Sequence, residues 1–280
     1  MKNWFSPIRI LLIYLVVMYV WASWGWDGTQ LSFWLTQFRN AALLAAGNWA
    51  TYFLLTFLNL GRPTRWEHKS ISNFILLLLF DPLIAWWVFP LLGIFTELVQ
   101  RLVRVPTGPI FNPAALTAAV FSFVSIYPSW WGTNFAPRLP LIPEGMSVAM
   151  LLTLPLAGYV AHKYRKLPIV LISASVFAVL YTLLFRMSPL FLLADGTLAY
   201  FLMVMAVEPK TSPALPKQQY VFAGSLGVLV AIALYFYWPE PYAMALLMCN
   251  LAFNLYRNQA YLKTKLGLNK PPAAPLPSSV

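Results

Sequence analysis

The chain has 280 residues, of which 60% are hydrophobic, 16% aromatic and only 10% charged. A soluble domain carries roughly a quarter charged residues, so this composition excludes a water-soluble globule and describes a membrane protein. The formal charge of +11 would raise nucleic-acid binding in a soluble chain; here the basic residues sit in short clusters between apolar runs, where they orient the chain across a bilayer and meet anionic headgroups.

Lys2 and Arg9 precede the apolar run from Ile10 to Val20 as in a signal peptide, but no small-x-small cleavage site follows before Trp24 and Trp26. The run is therefore expected to remain as the first span. Further segments long enough for about 30 Å of hydrocarbon, at ~17–25 residues each, bring the set to residues 8–26, 39–60, 112–128, 144–162, 167–186, 189–207, 220–238 and 241–257. Residues 71–102 are interrupted by Asp81-Pro82 and Pro90, and read either as one broken span or as two short helices. Counting Lys and Arg chooses between them. Two crossings give ten spans with 16 basic residues on the inner side and 3 outside, whereas one crossing gives 7 and 12. The expectation is an all-α polytopic protein of about ten transmembrane helices in the inner (cytoplasmic) membrane, both termini cytoplasmic. Residues 1–270 would form a single transmembrane domain and the Pro-rich residues 271–280 a disordered cytoplasmic tail. Five spans in each half permit a 5+5 inverted repeat, with Asp81-Pro82 and Glu208-Pro209 at equivalent places and on opposite faces.

Two segments could carry chemistry. In the first, Phe111-Asn112-Pro113-Ala114, Asn112 can cap a helix whose first position is Pro113, turning free N–H groups toward the preceding basic loop. Such an end suits an anion or a flavin phosphate, and it is equally an ordinary helix start. In the second, Pro209, Pro213 and Pro216 hold a non-helical loop in which Glu208, Lys210, Thr211 and Ser212 offer hydrogen bonds to a ligand entering between helices.

Intramembrane carboxylates are costly unless satisfied, so Asp81 and Glu97, which flank the broken segment, are candidates for an ion or proton relay. Asp195 reads as interfacial, and Asn48, Asn250 and Asn254 as interhelical hydrogen-bond partners. Cys249 is the single cysteine, which rules out an internal disulfide, a CxxC pair and a self-contained iron–sulfur cluster. His68 and His162 fall among basic loop residues, a poor setting for haem, and no metal site is expected. Most of the Trp residues read as an interfacial belt, with Trp130 and Trp131 as an alternative stacking platform.

Both motifs in order, followed by the helix from Tyr242 to Asn254, resemble the family of membrane subunits found in the sodium-translocating NADH:quinone reductase and in the Rnf complex. Phe111, Asn112, Pro113 and Ala114 match that family's Phe-Asn-Pro-Ala element, and Glu208-Pro209-Lys210-Thr211-Ser212-Pro213 matches its Asp-Pro-x-Thr-Ser-Pro element with Glu in place of Asp. The resemblance spans roughly residues 72–257. It implies a ten-helix fold similar to urea transporters, within a complex that passes electrons through flavins (FMN or riboflavin) with ion coupling. Family members attach FMN to a threonine in a Ser/Thr-Gly-Ala-Thr motif. The loop Ser129–Pro137 lacks that motif and Thr133 is its only threonine, so any flavin here is expected to be non-covalent.

The leading expectation is a membrane electron-transfer subunit, with Phe111–Ala114 and Glu208, Lys210, Thr211 and Ser212 at the flavin. The chain has no nucleotide-binding fingerprint, so a cytoplasmic flavoprotein reductase or ferredoxin would supply electrons, beside other membrane subunits. The runner-up is a small-solute channel or carrier with a urea-transporter-like fold.

Overall fold

The computed structural model describes residues 6–27, 30–106, 108–125, 138–139, 146–188, 196–259, 261 and 263. Among these stand ten α-helices: α1 (Pro7–Asp27), α2 (Leu31–Phe57), α3 (Trp66–Leu79), α4 (Val88–Leu102), α5 (Pro113–Ser125), α6 (Val148–Lys163), α7 (Leu167–Phe185), α8 (Gly196–Tyr200), α9 (Pro216–Tyr235) and α10 (Pro241–Arg257). A π-helical turn, Phe201–Met205, prolongs α8. Two short antiparallel pairs join the helices, β1 (Arg104–Val105) with β2 (Gly108–Pro109) and β3 (Arg138–Leu139) with β4 (Met146–Ser147). Proline opens α1, α5, α9 and α10, where its fixed φ is already helical and its missing N–H costs nothing.

Three helices, α1, α7 and α9, are long and apolar enough to cross a membrane. Their outward faces are apolar: Leu183 on α7 and Val221 on α9 are 69% and 72% exposed, an arrangement that water disfavours and lipid does not. The break at Asp81-Pro82 separates two helices rather than bending one. At 14 and 15 residues, α3 and α4 rise only about 21–22 Å each, short of a ~30 Å hydrocarbon layer. They run antiparallel, because Gln100 Nε2 near the end of α4 donates to Ser72 Oγ near the start of α3 at 2.8 Å. At the hairpin tip the Asp81 carboxylate accepts the Leu83 N–H at 2.7 Å, and the Pro82 carbonyl accepts from Asn40 Nδ2 at 2.7 Å.

That last bond explains a difference from the sequence reading. Helix α2 begins at Leu31, not at residue 39, although Thr36, Gln37, Arg39 and Asn40 dilute its apolar character. Gln37 and Asn40 point inward and are bonded, Gln37 to the Tyr19 hydroxyl of α1 and Asn40 to Pro82, so the helix keeps its polar turn buried against partners.

Packing repeats between the halves. In the first, α1 packs on α3, α2 on α4 and α4 on α5; in the second, α6 packs on α8, α7 on α9 and α9 on α10. Across the halves α1 meets α6, where Tyr14 and Thr153 hydroxyls lie 2.7 Å apart, and α5 meets α10. The α2–α4 crossing is tight because it is built on glycine. A Cβ at Gly47 would lie 2.2 Å from the Pro90 carbonyl oxygen, and one at Gly93 would lie 2.2 Å from that of Leu44. Gly227 plays the same part on α9, where a Cβ would lie 2.8 Å from the Ser173 oxygen of α7.

Candidate functional site

At one end of the bundle the starts of α3, α5, α7 and α9 meet the ends of α4, α6, α8 and α10. Asn112 organises this end. Its Oδ1 accepts the Ala115 N–H at 3.1 Å, capping α5, and its Nδ2 donates to the Met205 carbonyl at 3.2 Å, tying α5 to the π turn. Asn250 on α10 stands between the two motifs. With its amide turned so that nitrogen faces oxygen and oxygen faces N–H, it donates to the Thr211 carbonyl at 3.2 Å and accepts from the Asn112 N–H at 3.2 Å. Asn254, one turn on, donates to the Ile110 carbonyl at 2.8 Å.

The second loop is held as firmly. Thr211 Oγ1 donates to Glu208 Oε2 at 3.0 Å, and Ser212 Oγ donates to the Glu208 carbonyl at 2.7 Å. Lys166, buried at the start of α7, donates its ammonium to the Ser212 carbonyl at 3.1 Å and to the Pro213 carbonyl. Burial, helped by the Arg257 charge, lowers the Lys166 pKa to about 8.

The two motifs enclose part of one cavity of about 350 Å³. Asn112 and Pro113 contribute from the first, and Glu208, Pro209 and Lys210 from the second. Residues that the sequence reading did not place at a ligand site complete it: Arg65 and His68 near the start of α3, Gln100 on α4, Arg104 on β1 and Tyr164 after α6. Apolar walls come from Leu11, Ile71, Ile75, Val160, Val204 and Val207. Arg65, Arg104 and Lys210 make the opening cationic, and Glu208 is the only carboxylate among the described lining residues. Burial raises the Glu208 carboxyl to about 7 against the smaller opposing pull of Thr211 and Lys210, so near neutral pH it is poised between acid and carboxylate. Gln100 leaves its buried Oε1 without a hydrogen-bond partner on the wall of this cavity, among the described residues.

Phe111, Ala114, Thr211 and Ser212 do not line the cavity; they pack behind it, Ala114 in the hydrophobic core and Thr211 and Ser212 bonded within their own loop. Asp81 and Glu97 are not brought together. Asp81 sits at the tip of the α3–α4 hairpin, whereas Glu97 lies at its other end, fully buried, with Arg101 Nε at 2.8 Å and Lys69 Nζ at 3.5 Å. Lys69 also lies 3.1 Å over the Tyr52 ring and Arg101 4.5 Å over it. The Glu97 carboxylate is thus paired with two cations of its own end of the bundle. Asn250 and Asn254 bond to the loop atoms of Thr211, Asn112 and Ile110 rather than to another helix, and the buried Asn48 amide finds no partner among the described residues. Thr133, Trp130, Trp131, Asp195 and residues 271–280 lie outside the described residues. No cluster of three or more His, Cys, Asp or Glu that could hold a metal stands among the described residues.

Comparison with protein-family models and with curated proteins finds no match.

Proposed function

We propose that the protein is a membrane subunit of a flavin-dependent electron-transport system of the Rnf and NADH:quinone reductase type, and that its cavity holds a non-covalent flavin. The observation that carries this reading is the meeting of two segments, 111–114 and 208–213, whose Asn112, Pro113, Glu208 and Lys210 contribute to one cationic cavity although 93 residues separate the bonded pair Asn112 and Met205. Its volume of about 350 Å³ falls within the roughly 300–1,000 Å³ of small-molecule sites. Arg65, Arg104 and Lys210 suit a phosphate, the aliphatic walls suit a flat ring system, and Gln100 Oε1 lacks the donor that a flavin ring N–H would supply. A bound flavin would contribute one- and two-electron transfer; the residues here would bind and orient it.

The ten helices are read as ten crossings, with the basic end toward the cytoplasm, in the inner membrane. At the tip between the short α3 and α4 the Leu83 N–H and the Pro82 carbonyl are bonded within protein, as short crossings require of their exposed backbone. The shared packing scheme of helices 1 to 5 and 6 to 10 supports a 5+5 inverted repeat, since α1 begins at the basic end and α6 finishes there. A basic cytoplasmic face would steer an acidic flavoprotein reductase or ferredoxin onto the site. The test is the visible spectrum of the protein purified in mild detergent, with flavin assayed after denaturation. Absence of flavin together with solute flux in proteoliposomes would instead favour the channel reading.

A further inference from the structure

A second hollow lies on the outer surface, between α9 and α10. It measures about 380 Å³ and is lined by Val221, Phe222 and Ser225 on α9 and by Cys249, Ala252 and Phe253 on α10. These positions recur at three and four residues on each helix, so they form two facing stripes along the helix axes. Phe222 and Phe253 meet edge to face at 6.2 Å, and the small Ser225 and Ala252 leave the space beside them unfilled. From Lys217 to Ser225 the groove runs about 12 Å along α9, most of the ~15 Å hydrocarbon depth of one leaflet.

Charge fixes what kind of occupant fits. Lys217 and Tyr256 close the groove at the same end of the bundle as the cavity, and Arg257 and Lys263 follow on exposed positions. Beyond Glu208 the only side-chain carboxylate in the sequence is Glu240, which stands at the opposite end of both helices. The groove therefore has an apolar slot the width of a chain, a cationic mouth at headgroup level, and no carboxylate of its own helices to repel an anion there. We infer that this groove is a binding site for an anionic glycerophospholipid, one acyl chain lying along Val221, Ser225 and Ala252 and the phosphate meeting Lys217 and Arg257. A zwitterionic lipid could fill the slot but would meet the same cations with no net charge. The site is independent of what occupies the inner cavity.

The test is native mass spectrometry of the full chain released from nanodiscs of equimolar phosphatidylcholine and phosphatidylglycerol. Wild type is expected to retain phosphatidylglycerol several-fold above its bulk share, and Lys217→Gln and Arg257→Gln are each expected to lower that preference about fivefold. Both positions are exposed, so folding should not depend on them. Ala252→Trp, or Ser225→Trp if the former misfolds, should reduce total retained lipid by filling the slot. Equal retention of the two lipids by wild type would overturn the proposal, as would an undiminished preference in both charge variants or undiminished retention in a folded Trp variant.

Discussion

The Asn112 side-chain amide donates to the Met205 carbonyl at 3.2 Å, so the residue that caps α5 also fixes the π turn after α8. One polar side chain thus sets both walls of the cavity. Asn112→Ala should lose the cap, about 1 kcal/mol, and this tie as well. We expect the variant to fold but to copurify with less flavin than wild type. Flavin per mole of protein after denaturation measures it, with Asn254→Ala, which loses the Ile110 contact outside the cavity, as the milder comparison.

Glu208 gives the site a pH dependence of known sign. Burial raises its carboxyl from 4.5 to about 7, so the charged form is the one the folded site disfavours. The resulting loss of stability is absent below about pH 4.5, grows toward pH 7 and is complete above it. Glu208 should accordingly disfavour a flavin phosphate more at pH 8 than at pH 6, on the order of fivefold for a neighbouring charge in a partly screened site, read as the difference between wild type and Glu208→Gln because the phosphate itself titrates at about pH 6. Glu208→Gln should remove that contribution in a fluorescence titration and should melt higher than wild type at pH 8, the gap closing as pH falls.

Removing Glu97 leaves Lys69 and Arg101 buried without a counter-charge. Glu97→Gln should cost about 3–5 kcal/mol, read from unfolding in detergent with increasing dodecyl sulfate. Lys69→Met should cost markedly less, since Glu97 keeps the shorter contact with Arg101 at 2.8 Å and an apolar chain can take the place of the ammonium stem. Equal losses would contradict this division of roles.

The α2–α4 crossing predicts a contrast among glycines. Gly93→Ala and Gly47→Ala place a methyl 2.2 Å from a carbonyl oxygen of the other helix, so both should fail to fold or should destabilise by roughly 1–3 kcal/mol or more. At Gly158, a Cβ meets nothing within 4 Å, and alanine there should be neutral or stabilising by up to about 1 kcal/mol. Thermal unfolding of the three variants in one detergent decides it.

The legible part of this fold lay in features that act locally. Apolar length placed α1, α7 and α9, and proline placed the start of α5 at Pro113, whereas Pro216, read as part of a non-helical loop, opens α9. Charge asymmetry favoured two helices in 71–102, and two antiparallel helices stand there. What escaped depends on partners distant in sequence. The pairing of Glu97 with Lys69 is one such case, since nothing in a linear reading ties two residues 28 positions apart. Gln100 drew no notice and Arg104 was read only as part of a basic face, for the same reason: neither marks a cavity until α4 is folded against α3. Gln37 and Asn40 misplaced the start of α2, since polar residues inside a helix read as loop until their acceptors are known.

The central claim is that the cavity shared by Asn112 and Lys210 holds a flavin. The most direct measurement is the absorbance spectrum of the chain purified in mild detergent, followed by acid denaturation and chromatography of what is released. Flavin absorbance bands, with free FMN or riboflavin in the supernatant and none on the polypeptide, is the predicted result, and Lys210→Glu should abolish it. A folded protein with no flavin bands and no flavin released after reconstitution with excess FMN and riboflavin would contradict it.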